Sequence, residues 1–292
     1  MSDAERDPHT GHMTTGHEWN GITELNTRVP RAVYCFLIAT ALFAIGYWIL
    51  MPSFPLGTTY AKGLLGVDQR ATVAETIQVA ALDRATWEKR IASEDFAQIQ
   101  SDPQLMAVVR LTGHTLFGDN CAACHGREAQ GQSGKGFPNL TTDSWLWGGA
   151  PDKIAETIRV GINSTHPDSR VSQMLAFGKD GMLPRGDIET VVAYVRSLSM
   201  PTDVPVEQLG AGQAVFAKNC ASCHGEKAMG NPDLGAPNLT DPFWIYGGDA
   251  TRVFTTVWGG RQGHMPTWEA RFSPVDRKIL ALYLVDLRKP AP

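Results

Sequence analysis

Charge is scarce in this chain. Charged side chains make up 19% of its 292 residues and the formal net charge is −4. No general basic field is available to hold a nucleic acid. Cysteine is scarcer still, at five residues. The first long apolar run does not read as a cleavable secretory leader: about thirty polar residues precede it, and no A-x-A-like site follows it. Over one stretch charge disappears altogether. Residues 32–51, "AVYCFLIATALFAIGYWILM", carry no charged side chain for twenty positions.

That run matches the roughly 20 residues needed to cross a hydrocarbon core. Arg31 closes one end, and Pro52 and Pro55 close the other. Tyr34, Tyr47 and Trp48 suit the two interfaces. Arg28 and Arg31 flank the N-terminal side, whereas the first cation beyond the run is Lys62, so the positive-inside tendency puts the N-terminus in the cytoplasm. Cys35, inside the run, reads as a small hydrophobe.

The other four cysteines fall in two strings, "NCAACHG" at 120–126 and "NCASCHG" at 219–225. A C-x-x-C pair alone could be a zinc half-site, a redox dithiol or a disulfide. Zinc would leave the appended histidine surplus, and a thioredoxin-like dithiol would need a βαβ context that neither copy has. C-x-x-C-H is the attachment signature of c-type haem: two thiols add across two vinyl groups, and the next residue ligates iron. Cys121, Cys124, Cys220 and Cys223 are therefore the expected covalent sites, and His125 and His224 the expected iron ligands. Two haem c groups per chain follow. Attachment outside the cytoplasmic membrane demands the topology that the arginines suggest.

Shifted by 99 residues, the second half lies on the first without a gap for over thirty positions. Phe117 meets Phe216, "PNLT" at 138–141 meets "PNLT" at 237–240, and Trp145 meets Trp244. Such self-similarity means two copies of one folding unit. Helical patterning precedes each haem string, recurs at 151–161 and 249–259, and closes each copy at 187–198 and 276–287, with Asp187 and Asp276 in the first turns. This order resembles the class I cytochrome c fold, in which a C-terminal helix packs across the first. The expected fold is mainly α: one N-terminal transmembrane helix and two tandem class I cytochrome c domains. The expected segments are a cytoplasmic stretch at 1–31, the span at 32–51, a partly helical periplasmic linker at 52–107, and domains at 108–200 and 207–289.

A class I fold commonly fills the sixth iron position from a methionine loop. In "GGRQGHMPTW" the candidate is Met265; in the first copy Met174 and Met182 compete. The repeat offset falls from 99 at the haem strings to 89 at the final helices. Pairing Met174 with Met265 gives an intermediate 91, whereas Met182 gives 83, which overshoots and must be undone. Met174 is preferred and Met182 is the runner-up. Met229 reads as a loop residue. Arg159 and Arg261 are candidates to pair with haem propionates or simply to face solvent, and His114, His166 and His264 to face solvent or support the ligands.

Before the apolar run, "EWNGITELNTRVPRAV" at 18–33 resembles "DGI-E-NN-PLPRWW", which opens the dihaem subunit (subunit III, the FixP or CcoP type) of cbb3-type cytochrome c oxidases. The chain departs from that pattern at Asn26-Thr27 and Ala32-Val33. The resemblance implies a subunit that is not by itself an enzyme. It would accept electrons from a donor cytochrome c or a cytochrome bc complex and pass them to the monohaem and haem–copper subunits, from a single-pass position in a bacterial inner membrane. In that family each domain's methionine either serves its own haem or crosses to its neighbour's, and the residues leave this open. Three rivals differ in kind: a free-standing anchored dihaem cytochrome, a cytochrome subunit of a periplasmic dehydrogenase, and a dihaem peroxidase. A peroxidase needs an open axial site, which the methionines oppose.

Overall fold

The computed structural model describes residues 5–201 and 204–288, so the outer edges expected at 1–4 and 289 lie outside the described residues. The chain divides into two compact units, at Met1–Leu82 and Asp83–Pro292.

The first unit opens with an antiparallel hairpin, β1 (Thr14–Trp19) and β2 (Ile22–Leu25), in which Trp19 pairs with Ile22. Asn20 and Gly21 connect them with φ of 53° and 85°. A two-residue connection matches the strand twist when both positions have positive φ, which Asn-Gly adopts readily. Helix α1 (Arg31–Leu50) follows Pro30, is apolar all round and buries none of its residues. It is long and apolar enough to cross a membrane. Beyond it the chain doubles back, Leu64 and Leu65 donating N–H to the carbonyls of Ile49 and Leu50. Gly63 makes that approach possible, because a Cβ there would overlap the Leu50 carbonyl.

Helix α2 (Gln69–Ser93) leads into the second unit, followed by α3 (Phe96–Ser101) and α4 (Pro103–Asn120). Asp102 caps α4 by accepting from the N–H groups of Gln104 and Leu105, ahead of a proline at the first helical position. Then come the one-turn α5 (Ala122–His125), α6 (Pro151–Val160) and α7 (Arg185–Ser197). The second copy supplies α8 (Val206–Asn219), α9 (Ala221–His224), α10 (Ala250–Gly259) and α11 (Pro274–Leu287). Ser273 and Asp276 form a capping box at the start of α11.

These helices make two cores, and the cores do not follow the two sequence repeats. The first joins Val109 and Phe117 of α4 and Ile154 of α6 to Ile279, Leu280 and Tyr283 of α11. The second joins Ile188 and Val191 of α7 to Phe216 of α8 and Val253 of α10. The last helix of each repeat therefore crosses the first helix of the other repeat. Gly113 of α4 seats Tyr283, whose Cβ lies 2.6 Å from where a glycine Cβ would be; Gly212 of α8 seats Tyr194 of α7 in the same way at 2.7 Å. Only the eight residues 198–205 separate α7 from α8, and short connections favour neighbours in space.

Candidate haem centres

Each haem string lies where a long helix ends. The N–H of Cys121 still reaches the Phe117 carbonyl at 2.8 Å; α5 then turns once and stops at Gly126, whose φ of 78° ends the helix. Cys220, α9 and Gly225 repeat this. In both strings the first cysteine is half-buried and the second exposed. Burial, with a smaller contribution from the neighbouring cysteine, pushes the Cys121 and Cys220 thiols up to about 11. Each is held neutral against the apolar wall.

The histidines are oriented from behind. His125 Nδ1 lies 3.1 Å from the Pro138 carbonyl, and His224 Nδ1 lies 3.0 Å from that of Pro237. A carbonyl can only accept, so Nδ1 carries the proton and Nε2 keeps its lone pair for a metal. Burial lowers both histidine pKa values, and the carbonyl bond only partly opposes it. This gives the repeated "PNLT" its role. Its proline carbonyl fixes the ring, and its asparagine holds the turn by accepting from Thr141 or Thr240. The repetition of "PNLT" was visible in the sequence; the carbonyl's task was not.

The methionines separate cleanly. Met174 packs in the second core, which also holds Cys220 and Ala221, while Met265 packs in the first, with Cys121 and Ala122. Each arrives on a two-way backbone pair: Met265 with Ile162, both bonds 2.9 Å, and Met174 with Arg261, at 2.8 and 3.1 Å. Gly161 and Gly260, with φ of 73° and 70°, lie under the two methionine carbonyls. Met182 is 50% exposed and Met229 64%, and neither belongs to a core.

Several buried donors have no protein acceptor: the indole N–H groups of Trp147 and Trp244, and the Nε groups of Arg170 and Arg288. The Arg170 guanidinium sits 5.0 Å over the Trp147 ring, and that of Arg261 4.4 Å over Tyr246. Paired thiols, oriented imidazoles, a thioether in each apolar core and spare donors for carboxylates are what a haem c would need. The residues fit the group. Arg159, by contrast, is engaged with Glu156, Asp168 and Glu269 and is not free to pair with a propionate. His114 and His264 are exposed, and His166 is tied to Glu269. Among the described residues, no three His, Cys, Asp or Glu side chains gather to hold a metal ion by themselves.

Fold and site together define a c-type cytochrome in which the cytochrome c fold occurs twice behind a candidate membrane helix. Family models match in three places: "N-terminal domain of cytochrome oxidase-cbb3, FixP" at 11–58, "Cytochrome c" at 111–199 and "Cytochrome C oxidase, cbb3-type, subunit III" at 207–284. The chain is 48% identical over 287 residues to the cbb3-type cytochrome c oxidase subunit FixP of Bradyrhizobium sp. (strain ORS 278), covering 97% of each chain. It is 46% identical to FixP of Bradyrhizobium diazoefficiens, again over 97% of each, and 41% identical to subunit CcoP of Cereibacter sphaeroides over 93% of each. The chain belongs to the FixP/CcoP family of cbb3-type cytochrome c oxidase subunits.

Proposed function

We propose that this chain relays electrons from a donor cytochrome c, or a cytochrome bc complex, to the monohaem and haem–copper subunits of a cbb3-type oxidase, using two covalently attached haem c groups. Cys121 and Cys124 would hold one haem, and Cys220 and Cys223 the other. His125 and Met265 would be the axial ligands of the first, and His224 and Met174 those of the second. Each methionine thus comes from the opposite repeat. The observation that carries this reading is that each core packs the methionine of one repeat with the first cysteine of the other repeat's haem string, whose histidine is oriented by a proline carbonyl.

When bound, haem c supplies reversible one-electron chemistry at iron. The chain's own part is to tune and shield it. A thioether favours reduced iron and raises the potential. Two protein ligands leave no position for peroxide, which separates this reading from a peroxidase. The Arg170 guanidinium would neutralise a propionate in the buried wall, and the Trp147 indole N–H would donate to it.

The N-terminus would be cytoplasmic and the haem domains periplasmic in a bacterial inner membrane, since Arg28 and Arg31 flank one end of α1. A solitary shuttle would need only an apolar anchor, yet here a folded hairpin precedes it. The test replaces residues 18–51 with an unrelated single-span anchor. Both haems should stay attached, while co-purification through a tag on the oxidase and oxygen uptake with a cytochrome donor should fall. Unchanged co-purification and oxygen uptake would reduce the segment to a tether and remove the oxidase-specific part of the proposal.

A further inference from the structure

The two methionine segments are held by unlike means. Arg159 closes α6, and its guanidinium makes a two-pronged pair with Glu156 at 2.8 Å on each prong. It also reaches Asp168 at 3.2 Å and, across the repeats, Glu269 at 2.9 Å. Its backbone carbonyl accepts from the Thr267 hydroxyl at 2.6 Å. Glu269 is held a second time by His166 Nε2 at 2.8 Å. The Asp168 N–H donates to His166 Nδ1, so the ring proton sits on Nε2 and points at Glu269. Only 9% of the His166 side chain and 25% of the Arg159 side chain are exposed. The clamp therefore grips residues 267 and 269, just beyond Met265.

At the mirror position the chemistry is different. Position 159 corresponds to Trp258 at the offset of 99, and position 269 corresponds to Gly178 at the offset of 91. There the indole lies on the glycine, where a Cβ would overlap the ring. The Trp258 carbonyl accepts from the N–H groups of Gly178 and Lys179 at 3.2 and 2.9 Å. Main chain ties both segments, the Trp268 N–H donating to the Ile158 carbonyl at 3.1 Å in the first; what differs is a charged cluster at one and an indole face at the other. His166 and Asp168 lie in the extra eight residues that the first repeat carries between Gly161 and Met174.

We infer that Arg159, with Glu269 and His166, is a positioning residue for Met265, and that it makes the first haem the one whose sixth ligand yields to a competitor when the charges are broken. This rests on Met265 being that ligand. An ion-pair clamp loosens with salt, whereas indole-on-glycine packing does not. The two haems should then differ in exogenous-ligand affinity, and only one should respond to ionic strength.

The test uses the full-length ferric protein in detergent, in a Met174→Leu background. The remaining sulfur-to-iron charge-transfer band then reports Met265 alone. Imidazole is titrated against that band. Arg159→Gln and Glu269→Gln are each expected to raise imidazole affinity by about three- to tenfold, as loss of a small ion-pair network would. Arg159→Lys should fall between them and the parent, and added salt should act on the parent but not on Arg159→Gln. In a Met265→Leu background, where Met174 is read, Arg159→Gln should change nothing and Trp258→Leu should raise the affinity. Unchanged imidazole affinity in both Arg159→Gln and Glu269→Gln overturns the clamp. So does an equal rise at both haems, which would mean general loosening. A Met265→Leu single variant that keeps both charge-transfer bands overturns the ligand assignment, and the clamp with it.

Discussion

Two residues with the same side chain have opposite fates here. Met174 packs beside the second haem string, whereas Met182, eight positions on, is half exposed. Loop-length arithmetic in the sequence preferred Met174 and kept Met182 as runner-up, because a helical repeat tolerates one insertion more readily than an insertion that must be reversed. The expected outcome follows from the axial ligand's hold on redox poise. Replacing Met174 or Met265 with leucine should remove one sulfur-to-iron charge-transfer band and lower the potential of one haem, as read by optical redox titration. Met182→Leu should leave both bands and both potentials in place. Arg159 was harder to read. An arginine at a helix end looks alike whether it faces a propionate or a carboxylate, and its partner Glu269 lies 110 residues away.

At the scale of helices, the crossings depend on glycines. Gly212 lets α8 approach α7 until Tyr194 and the Thr190 carbonyl fill the space a side chain would take. Gly212→Ala should cost about 1–3 kcal/mol through overpacking, seen as a lower unfolding temperature of the second core. Gly118, on the exposed side of α4, has open space around it, and Gly118→Ala should be neutral or stabilising. Helix positions were legible from periodicity: 151–161 became Pro151–Val160, and 276–287 became Pro274–Leu287. Partnership was not legible. Gly113 and Gly212 each seat a tyrosine, so either glycine is compatible with Tyr194 or Tyr283 on pattern alone. Connection length decides the matter, and it acts only once the chain is folded in three dimensions. The hairpin before α1 has a local signal in the sequence, Asn20-Gly21, whose two residues take the positive φ of a tight connection. Lys278 adds a tie of its own: its Nζ donates to the carbonyls of Ile91, Ala92 and Glu94, closing the end of α2 against α11.

For the molecule as a whole, the exchange changes what can be cut. A chain stopped after Pro201 carries an entire sequence repeat, but it lacks Met265 and α11. It should keep a covalent haem by gel stain yet show no sulfur-to-iron band. A fragment of residues 162–262 straddles both repeats and should retain the band, because Met174, α7, α8 and α10 are all within it. The opposite result would show that each repeat folds by itself. The crossing also imposes a timetable on synthesis. In sequence, one pocket is nested inside the other: the second runs from Met174 to α10, while the first begins at α4 and ends with α11. About 150 residues must follow His125 before α11 begins, roughly 8–30 s at ordinary elongation rates. Throughout that interval Phe117 and Val109 wait without the helix that covers them. The pocket that emerges earliest is therefore sealed last, and the thiols of Cys121 and Cys124 stay open while the lid is still being made.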